Sequence, residues 1–193
     1  MFQPETNIYL NRLTQNYHAI QMMVENAKIM AVVKANAYGH GILPVAETLS
    51  VAGIHGFCVS LASEAAELIR ADIKNSILHL GRISKDSLEL YDSGQVRCTI
   101  NSIQDVIAIE RCKSKNKSII AHIKIDTGMG RMGVVFDEAE SIMKVLAKGS
   151  AIQVEGVYSH FSTAEESDVQ YRDWQLKRFQ KVVAMVNDVL PET

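Results

Sequence analysis

Short β-rich apolar runs alternate along the chain with amphipathic stretches. The runs are Ile29–Val33, Phe57–Ser60, Ile77–Leu80, Val96–Ile100, Ile119–Ile125 and Val154–Tyr158, and each reads as a strand. The stretches between them carry helix punctuation. Gly41–Ala52 has Pro44 in its first turn and Gly53 just past its end, the usual proline and glycine asymmetry of a helix. Ser102 and Asp137 are placed as caps three residues ahead of Asp105 and Glu140, and Gly149 is placed to close the second of these helices. Leu13, Tyr17, Ile20 and Val24 share one face of an opening helix, as do Trp174, Phe179, Val182, Val183 and Val186 near the end, and both stripes are expected in the core. Strand, helix and strand recurring every roughly 20 to 35 residues requires βαβ crossovers and a parallel sheet, because a tight turn cannot join parallel neighbours. The predicted class is α/β. An open doubly wound sheet competes with a closed barrel of about 250 residues. Six units in 193 residues fit an incomplete (β/α)8 TIM-type barrel with about six of its eight parallel strands.

Composition narrows the function classes. With 47% hydrophobic and 22% charged residues, the chain can build a core, and disorder is excluded as its main state. Twenty basic residues against 22 acidic leave a net charge of −2, which offers no electrostatic case for nucleic acid or anionic lipid as a partner. No apolar run reaches the roughly 18 to 20 residues of a membrane span, and the polar start Met1–Glu5 is no signal peptide. A cytoplasmic location is therefore expected. Cys58, Cys98 and Cys112 lack C-x-x-C spacing, and the six histidines form no H-E-x-x-H. Buried thiols and no metal are the expectation. The basic run Arg111–Lys117 suits a solvated helix end, with phosphate binding the minor reading.

In either α/β architecture, chemistry gathers at the carboxyl ends of the strands. Lys34 follows Ala31-Val32-Val33, so desolvation at the mouth of the sheet can favour the neutral amine that a Schiff base requires. Tyr38 adds a phenol close by, and Gly39 and Gly41 permit close backbone approach where a helix begins and exposed N–H groups favour an anion such as phosphate. Gly128-Met129-Gly130-Arg131-Met132-Gly133 satisfies G-x-G-x-x-G after a strand, with Glu155 about twenty residues on, the dinucleotide-binding pattern. Against that reading, Asp137 as the cap lies well past the glycines, and Arg131 would crowd a pyrophosphate. The alternative is a loop that presents Arg131 to an anion or a phenolic oxygen. His160 ends the sixth strand, where a hydrogen-bonded wall residue is the plain reading.

Three stretches resemble one family. Residues Ala31-Val32-Val33-Lys34-Ala35-Asn36-Ala37-Tyr38-Gly39-His40-Gly41 resemble the pyridoxal phosphate attachment motif of alanine racemases. Lys124-Ile125-Asp126-Thr127-Gly128-Met129-Gly130-Arg131-Met132-Gly133 and Gly156-Val157-Tyr158-Ser159-His160-Phe161-Ser162-Thr163-Ala164 resemble two further signatures, in family order. The resemblance implies a pyridoxal 5'-phosphate-dependent isomerase interconverting L- and D-alanine, the latter a cell-wall precursor. It implies a cytoplasmic homodimer acting on a small amino acid, with no nucleic acid and no membrane as partner. Lys34 would carry the cofactor as a Schiff base and act on one face of the substrate, and Tyr38 would hold the phosphate. Arg131 would reach the cofactor's phenolic oxygen and the substrate carboxylate. Lys124 matches a lysine often carbamylated in the family, and His160 a residue of the network on the cofactor's far side.

In the family, a tyrosine of a C-terminal β domain serves the opposite face of the substrate. The chain ends at Leu190-Pro191-Glu192-Thr193, before the matching stretch, the last two barrel strands and further phosphate ligands. Residues 1–193 are therefore expected to be a partial N-terminal pyridoxal-phosphate-binding barrel domain without the β domain. Exposed apolar edges of the first and sixth strands are expected to make it self-associate. A non-catalytic fragment that at most binds the cofactor is one alternative, a racemase for serine or a basic amino acid another, and a nicotinamide-dependent reductase the outsider.

Overall fold

The computed structural model describes residues 5–111, 118–148 and 151–190. Cys112, Gly149 and most of the basic run Arg111–Lys117 lie outside them. Two compact units divide the chain, the first ending at Gly81 and the second starting at Arg82.

The N-terminal unit runs α1 (Leu10–Val24), β1 (Met30–Val32), a single turn α2 (Lys34–Tyr38), α3 (Ile42–Val51), β2 (Gly56–Val59), α4 (Ala62–Arg70) and β3 (Ser76–His79). Its strands are parallel, with Met30 opposite Gly56 and Gly56 opposite Ser76. All of β2 is buried, which is the position of a strand covered on both faces in a parallel sheet. Phe57, Val59, Leu68, Ile77 and Ala46 are wholly inaccessible. Each large side chain among them contributes about 1.5 to 3 kcal/mol by burial. The expected Gly41–Ala52 helix is α3, with Gly41 and Ala52 as its flanking residues. The α1 stripe is only half realised. Tyr17 is buried and its hydroxyl donates to the Gly53 carbonyl oxygen (3.1 Å), whereas Ile20 is 49% exposed. A 3.6-residue period marks an apolar face but does not show that anything covers its far end.

The C-terminal unit runs α5 (Lys85–Tyr91), β4 (Val96–Ile100), α6 (Ile103–Arg111), β5 (Ile119–Asp126), β6 (Val134–Val135), a 3-10 turn (Phe136–Glu138), α7 (Ala139–Ala147), β7 (Ile152–Tyr158) and α8 (Gln170–Val189). Strand β5 is central, with β4 and β7 parallel to it on either side. Short β6 pairs with its tip through Ile125–Val134 and Asp126–Val135. An irregularity at Ala121/His122 shifts the β5–β7 register before Lys124 comes opposite Tyr158.

Three expectations are corrected here. Strand β6 is a seventh strand that the apolar runs did not reveal. Asp137 does not cap α7, because the 3-10 turn occupies that place and Glu138 precedes the helix without a side-chain cap bond. On α8, Val182 and Val186 are buried but Trp174 and Val183 are exposed, so that stripe too is covered only in part. Cys58 and Cys98 are buried, as expected, and burial pushes their thiols up to about 11 and about 12, which keeps them protonated and unreactive. No helix among the described residues is long and apolar enough to cross a membrane.

Candidate functional site

In the N-terminal unit, Val33 still bonds to β2 through its N–H and the Cys58 carbonyl oxygen (2.9 Å), and the backbone then reverses hand. Ala35, Asn36, Ala37 and Tyr38 all have positive φ, from 51° to 55°. This is one turn of left-handed helix built without glycine, and each of Ala35, Ala37 and Tyr38 costs about 1 to 2 kcal/mol there, with Asn36 costing less. Strain of this kind persists only where surrounding bonds over-determine it. Ala37 N–H donates to the Val33 oxygen (2.8 Å), and the Asn36 oxygen accepts from Gly39 (3.1 Å) and Gly41 (3.0 Å). The Asn36 side chain accepts from Ile42 N–H (2.8 Å), the first residue of α3, and Ala35 N–H donates to the Glu64 carboxylate (2.7 Å). The turn brings Lys34 and Tyr38 together, with the lysine Nζ 5.9 Å from the phenol ring centroid. A Cβ on Gly39 would meet nothing within 4 Å, so the backbone there is open to a ligand. Beside the turn lies a cavity of about 500 Å³ whose walls include Arg12, Val32, Tyr38 and His40.

In the C-terminal unit, Lys124 lies on β5, only 7% exposed, with its Nζ 5.8 Å from the ring centroid of Tyr158. The Tyr158 hydroxyl pairs with that of Thr99 (3.1 Å). Asp126 ends the strand, and its carboxylate accepts from the amides of Gly128 (2.9 Å) and Gly130 (3.1 Å). Burial alone would raise the Asp126 pKa, but the amides of Gly130, Gly128 and Met129, with the Lys124 charge, outweigh it and hold the group ionised below its ordinary range. The loop closes tightly. A Cβ on Gly133 would stand 2.9 Å from the Asp126 backbone nitrogen at φ +122°, and one on Gly128 would strike Trp174 at 2.5 Å. Tyr171 also donates its hydroxyl to the Gly128 oxygen (2.7 Å). Arg131 is exposed at the rim of this loop, and His160 is exposed past the end of β7.

Gln175 of α8 ties the two loops of this unit. It is wholly buried. Its Nε2 donates to Thr127 Oγ1 and the His160 carbonyl oxygen (3.2 Å each), while its Oε1 accepts from the N–H and hydroxyl of Ser162 (3.0 Å each). The Thr127 and Ser159 hydroxyls pair at 2.8 Å, and Ser159 donates onward to the Ile125 oxygen (2.8 Å). A cavity of about 250 Å³ is lined by Ser159, His160, Phe161, Gln175 and Phe179. Gln175, Asp126, Asn36 and Glu64 had no assigned role in the sequence reading. Of these only Glu64 left a local signal, an acid three residues past a helix's first flanking residue.

The dinucleotide reading is overturned. That fingerprint needs a helix N-terminus directly behind the glycines, and here the loop enters β6 and a 3-10 turn. Glu155, the candidate ribose acid, is committed elsewhere. Arg97 grips it through Nε (2.9 Å) and Nη2 (3.0 Å), and His122 Nε2 adds a third contact at 3.0 Å. The Arg97 bond, opposed by burial and helped by His122, holds the Glu155 carboxyl at about 2. Among the described residues no three His, Cys, Asp or Glu side chains cluster as a metal site would need.

Parallel strands alternating with helices in each unit, with Lys34, Arg131 and His160 past strand carboxyl ends, are the arrangement of a (β/α) barrel-type fold. The family described as "Alanine racemase, N-terminal domain" matches residues 8–192, and the chain belongs to that family. The alanine racemase of Desulforamulus reducens is 41% identical over 91% of this chain and 48% of its own length. That of Listeria monocytogenes serotype 4b is 37% identical over 85% of this chain and 44% of its own. The crystal structure of alanine racemase from E. faecalis matches with a TM-score of 0.84 and 32% identity, over 92% of this chain and 49% of that one. The Bacillus anthracis alanine racemase, solved with bound L-Ala-P, matches with a TM-score of 0.85 and 30% identity, over 95% of this chain and 50% of its own. The fold is an incomplete (β/α)8 TIM-type barrel. The chain spans about half the length of the curated relatives it matches.

Proposed function

We propose that this chain supplies the lysine half of a pyridoxal 5'-phosphate-dependent amino acid racemase, with alanine as the favoured substrate. The observation that carries the reading is the placement of Lys34 at the carboxyl end of β1, heading a left-handed turn held from several sides. The residues present suit the cofactor. Lys34 is an amine beside a phenol, the Gly39 backbone is open, and Arg131 stands exposed at a rigid loop. At the strand ends of the C-terminal unit, the buried Oδ1 of Asn101 and Oγ1 of Thr163 have no hydrogen-bond partner among the described residues, which is spare capacity for a polar ligand.

When bound, the cofactor supplies delocalisation of the electron pair left by removal of the α proton. Lys34 Nζ would hold the cofactor and would accept or return the α proton on one face of the substrate. Tyr38 donates its phenol toward the phosphate. Arg131 would bind the substrate carboxylate and the cofactor's phenolic oxygen, as a planar guanidinium suits. Lys124, buried against Tyr158, fits the position whose carbamylation would turn a cation into an anion orienting Arg131, and His160 takes part in the hydrogen bonds on the far side. The base for the opposite face is supplied by polypeptide beyond these residues, in a homodimer. The L-Ala-P bound in the Bacillus anthracis relative supports an alanine-sized ligand.

Chiral chromatography of L-alanine incubated with the chain and pyridoxal phosphate tests the proposal. The expected result is no conversion by residues 1–193 alone, conversion when the remaining half of the polypeptide is present, and none with Lys34→Ala. Conversion by residues 1–193 alone would overturn the division of the two bases. Conversion by the Lys34→Ala protein would remove Lys34 from the mechanism.

A further inference from the structure

The chemistry assigned to Lys34 requires its amine to be aimed, yet the lysine stands at the head of a turn whose backbone is strained. The residue directly after it, Ala35, takes φ 51° and is anchored from another element. Its N–H donates to Glu64 Oε1 at 2.7 Å. Glu64 is 9% exposed, and its second oxygen, Oε2, accepts from Ser60 N–H (2.9 Å) and Leu61 N–H (3.0 Å). The two oxygens are thus divided. One closes the start of α4, where Leu61 has no side-chain oxygen to contribute, and the other crosses to the end of β1. The Ser60 peptide is held from its other side as well, since its carbonyl oxygen lies 3.1 Å from Nε2 of the buried His79. The segments after β1 and β2 therefore meet at one carboxylate, and β3 is joined to them through His79 and the Ser60 carbonyl oxygen. A charged acceptor for an amide N–H is also stronger than a neutral one.

We propose that Glu64 is the positioning residue for Lys34: its carboxylate clamps the Ala35 amide to the start of α4 and so holds the left-handed turn that aims the lysine. The inference rests on the reading of Lys34 as the attachment lysine. Glutamine at this position has the same size but one oxygen and one NH2 group. Whichever way it is turned, a donor faces a donor, and either Ala35 or the Ser60–Leu61 pair loses its acceptor.

The test is borohydride reduction of the 193-residue chain with pyridoxal phosphate, followed by peptide mapping, on wild type, Glu64→Gln and Glu64→Gln with Ala35→Gly. Wild type is expected to label Lys34 in preference to the exposed Lys28 and Lys74. Glu64→Gln is expected to label Lys34 at least tenfold more slowly, with that preference lost. Adding Ala35→Gly is expected to restore the preference, because glycine holds a positive φ unaided. A global loss of stability would slow labelling without this selective restoration. Glu64→Gln labelling Lys34 at the wild-type rate and selectivity overturns the proposal. If that variant does not fold, amide exchange in the wild-type chain decides. An Ala35 amide protected at least 100-fold supports the clamp, and one exchanging at the unprotected rate overturns it. Absence of label on wild-type Lys34 would instead remove the attachment reading, and amide exchange at Ala35 would still judge the clamp.

Discussion

The loop after β1 and the loop after β5 both turn through left-handed backbone, but they are built from different residues. After β5 the positive φ values fall on Gly128, Gly130 and Gly133, which adopt them without a steric penalty. After β1 they fall on Ala35, Asn36, Ala37 and Tyr38, all of which except Asn36 resist. The glycine loop needs only to be located, and Asp126, Tyr171 and Gln175 locate it. The lysine turn has to be held against its own preference, by Glu64 and by the Asn36 side chain. The two loops show that a conformation can be written into the local sequence or imposed from elsewhere in the fold.

The contrast can be broken at several points. Gly133→Ala places a Cβ 2.9 Å from the Asp126 backbone nitrogen at φ +122°, where no flexible side chain can yield. The expected cost is about 3 kcal/mol, seen as a Tm about 6 to 12 °C lower. Gln175→Leu strips the acceptor from Ser162 and the donor from Thr127 and the His160 carbonyl. It should cost about 2 kcal/mol, with faster amide exchange at Ser162 as the specific sign. The third effect is on pH dependence. Glu155 titrates at about 2 when folded against an ordinary 4.5, so the unfolded chain takes up the proton first. Its contribution is complete above about pH 4.5 and is lost as pH falls toward 2. With 41% of the side chain exposed, screening keeps it below about 1 kcal/mol. Glu155→Gln should flatten the fall of Tm over that window, and an unchanged slope would remove the ion pair from the acid response. Smallest and opposite in sign, Ala35→Gly should stabilise the chain by about 0.5 kcal/mol, since the residue is exposed at φ 51°. A lower Tm would show that the turn is not strained.

Much of the architecture was legible from runs of apolar residues. The six runs correspond to β1 to β5 and β7, with ends shifted by a few residues at most. Strand β6 escaped because two residues, Val134 and Val135, carry no periodicity and pair only with a strand tip. The outer faces of α1 and α8 were misjudged because periodicity reports a face and not its cover, as Ile20 and Trp174 show. The candidate residues Lys34, Tyr38, Lys124, Arg131 and His160 stand in contiguous motifs and could be singled out directly. Glu64 and Gln175 could not be found that way. Glu64 reaches the Ala35 backbone over 29 residues and Gln175 the Ser162 and His160 backbone over 13 and 15, and the acid at the start of α4 marks only its own helix, not the bond to Ala35. The left-handed turn was hidden for the same reason, since Ala-Asn-Ala-Tyr does not itself favour it.

We propose that Lys34, held on its strained turn, attaches pyridoxal phosphate. Borohydride reduction of the chain with the cofactor, followed by mass spectrometry of its peptides, tests this most directly. A reduced pyridoxyl label is expected on the peptide containing Lys34, and none on the matching peptide of the Lys34→Ala protein. Label spread over exposed lysines with Lys34 unmodified would contradict it.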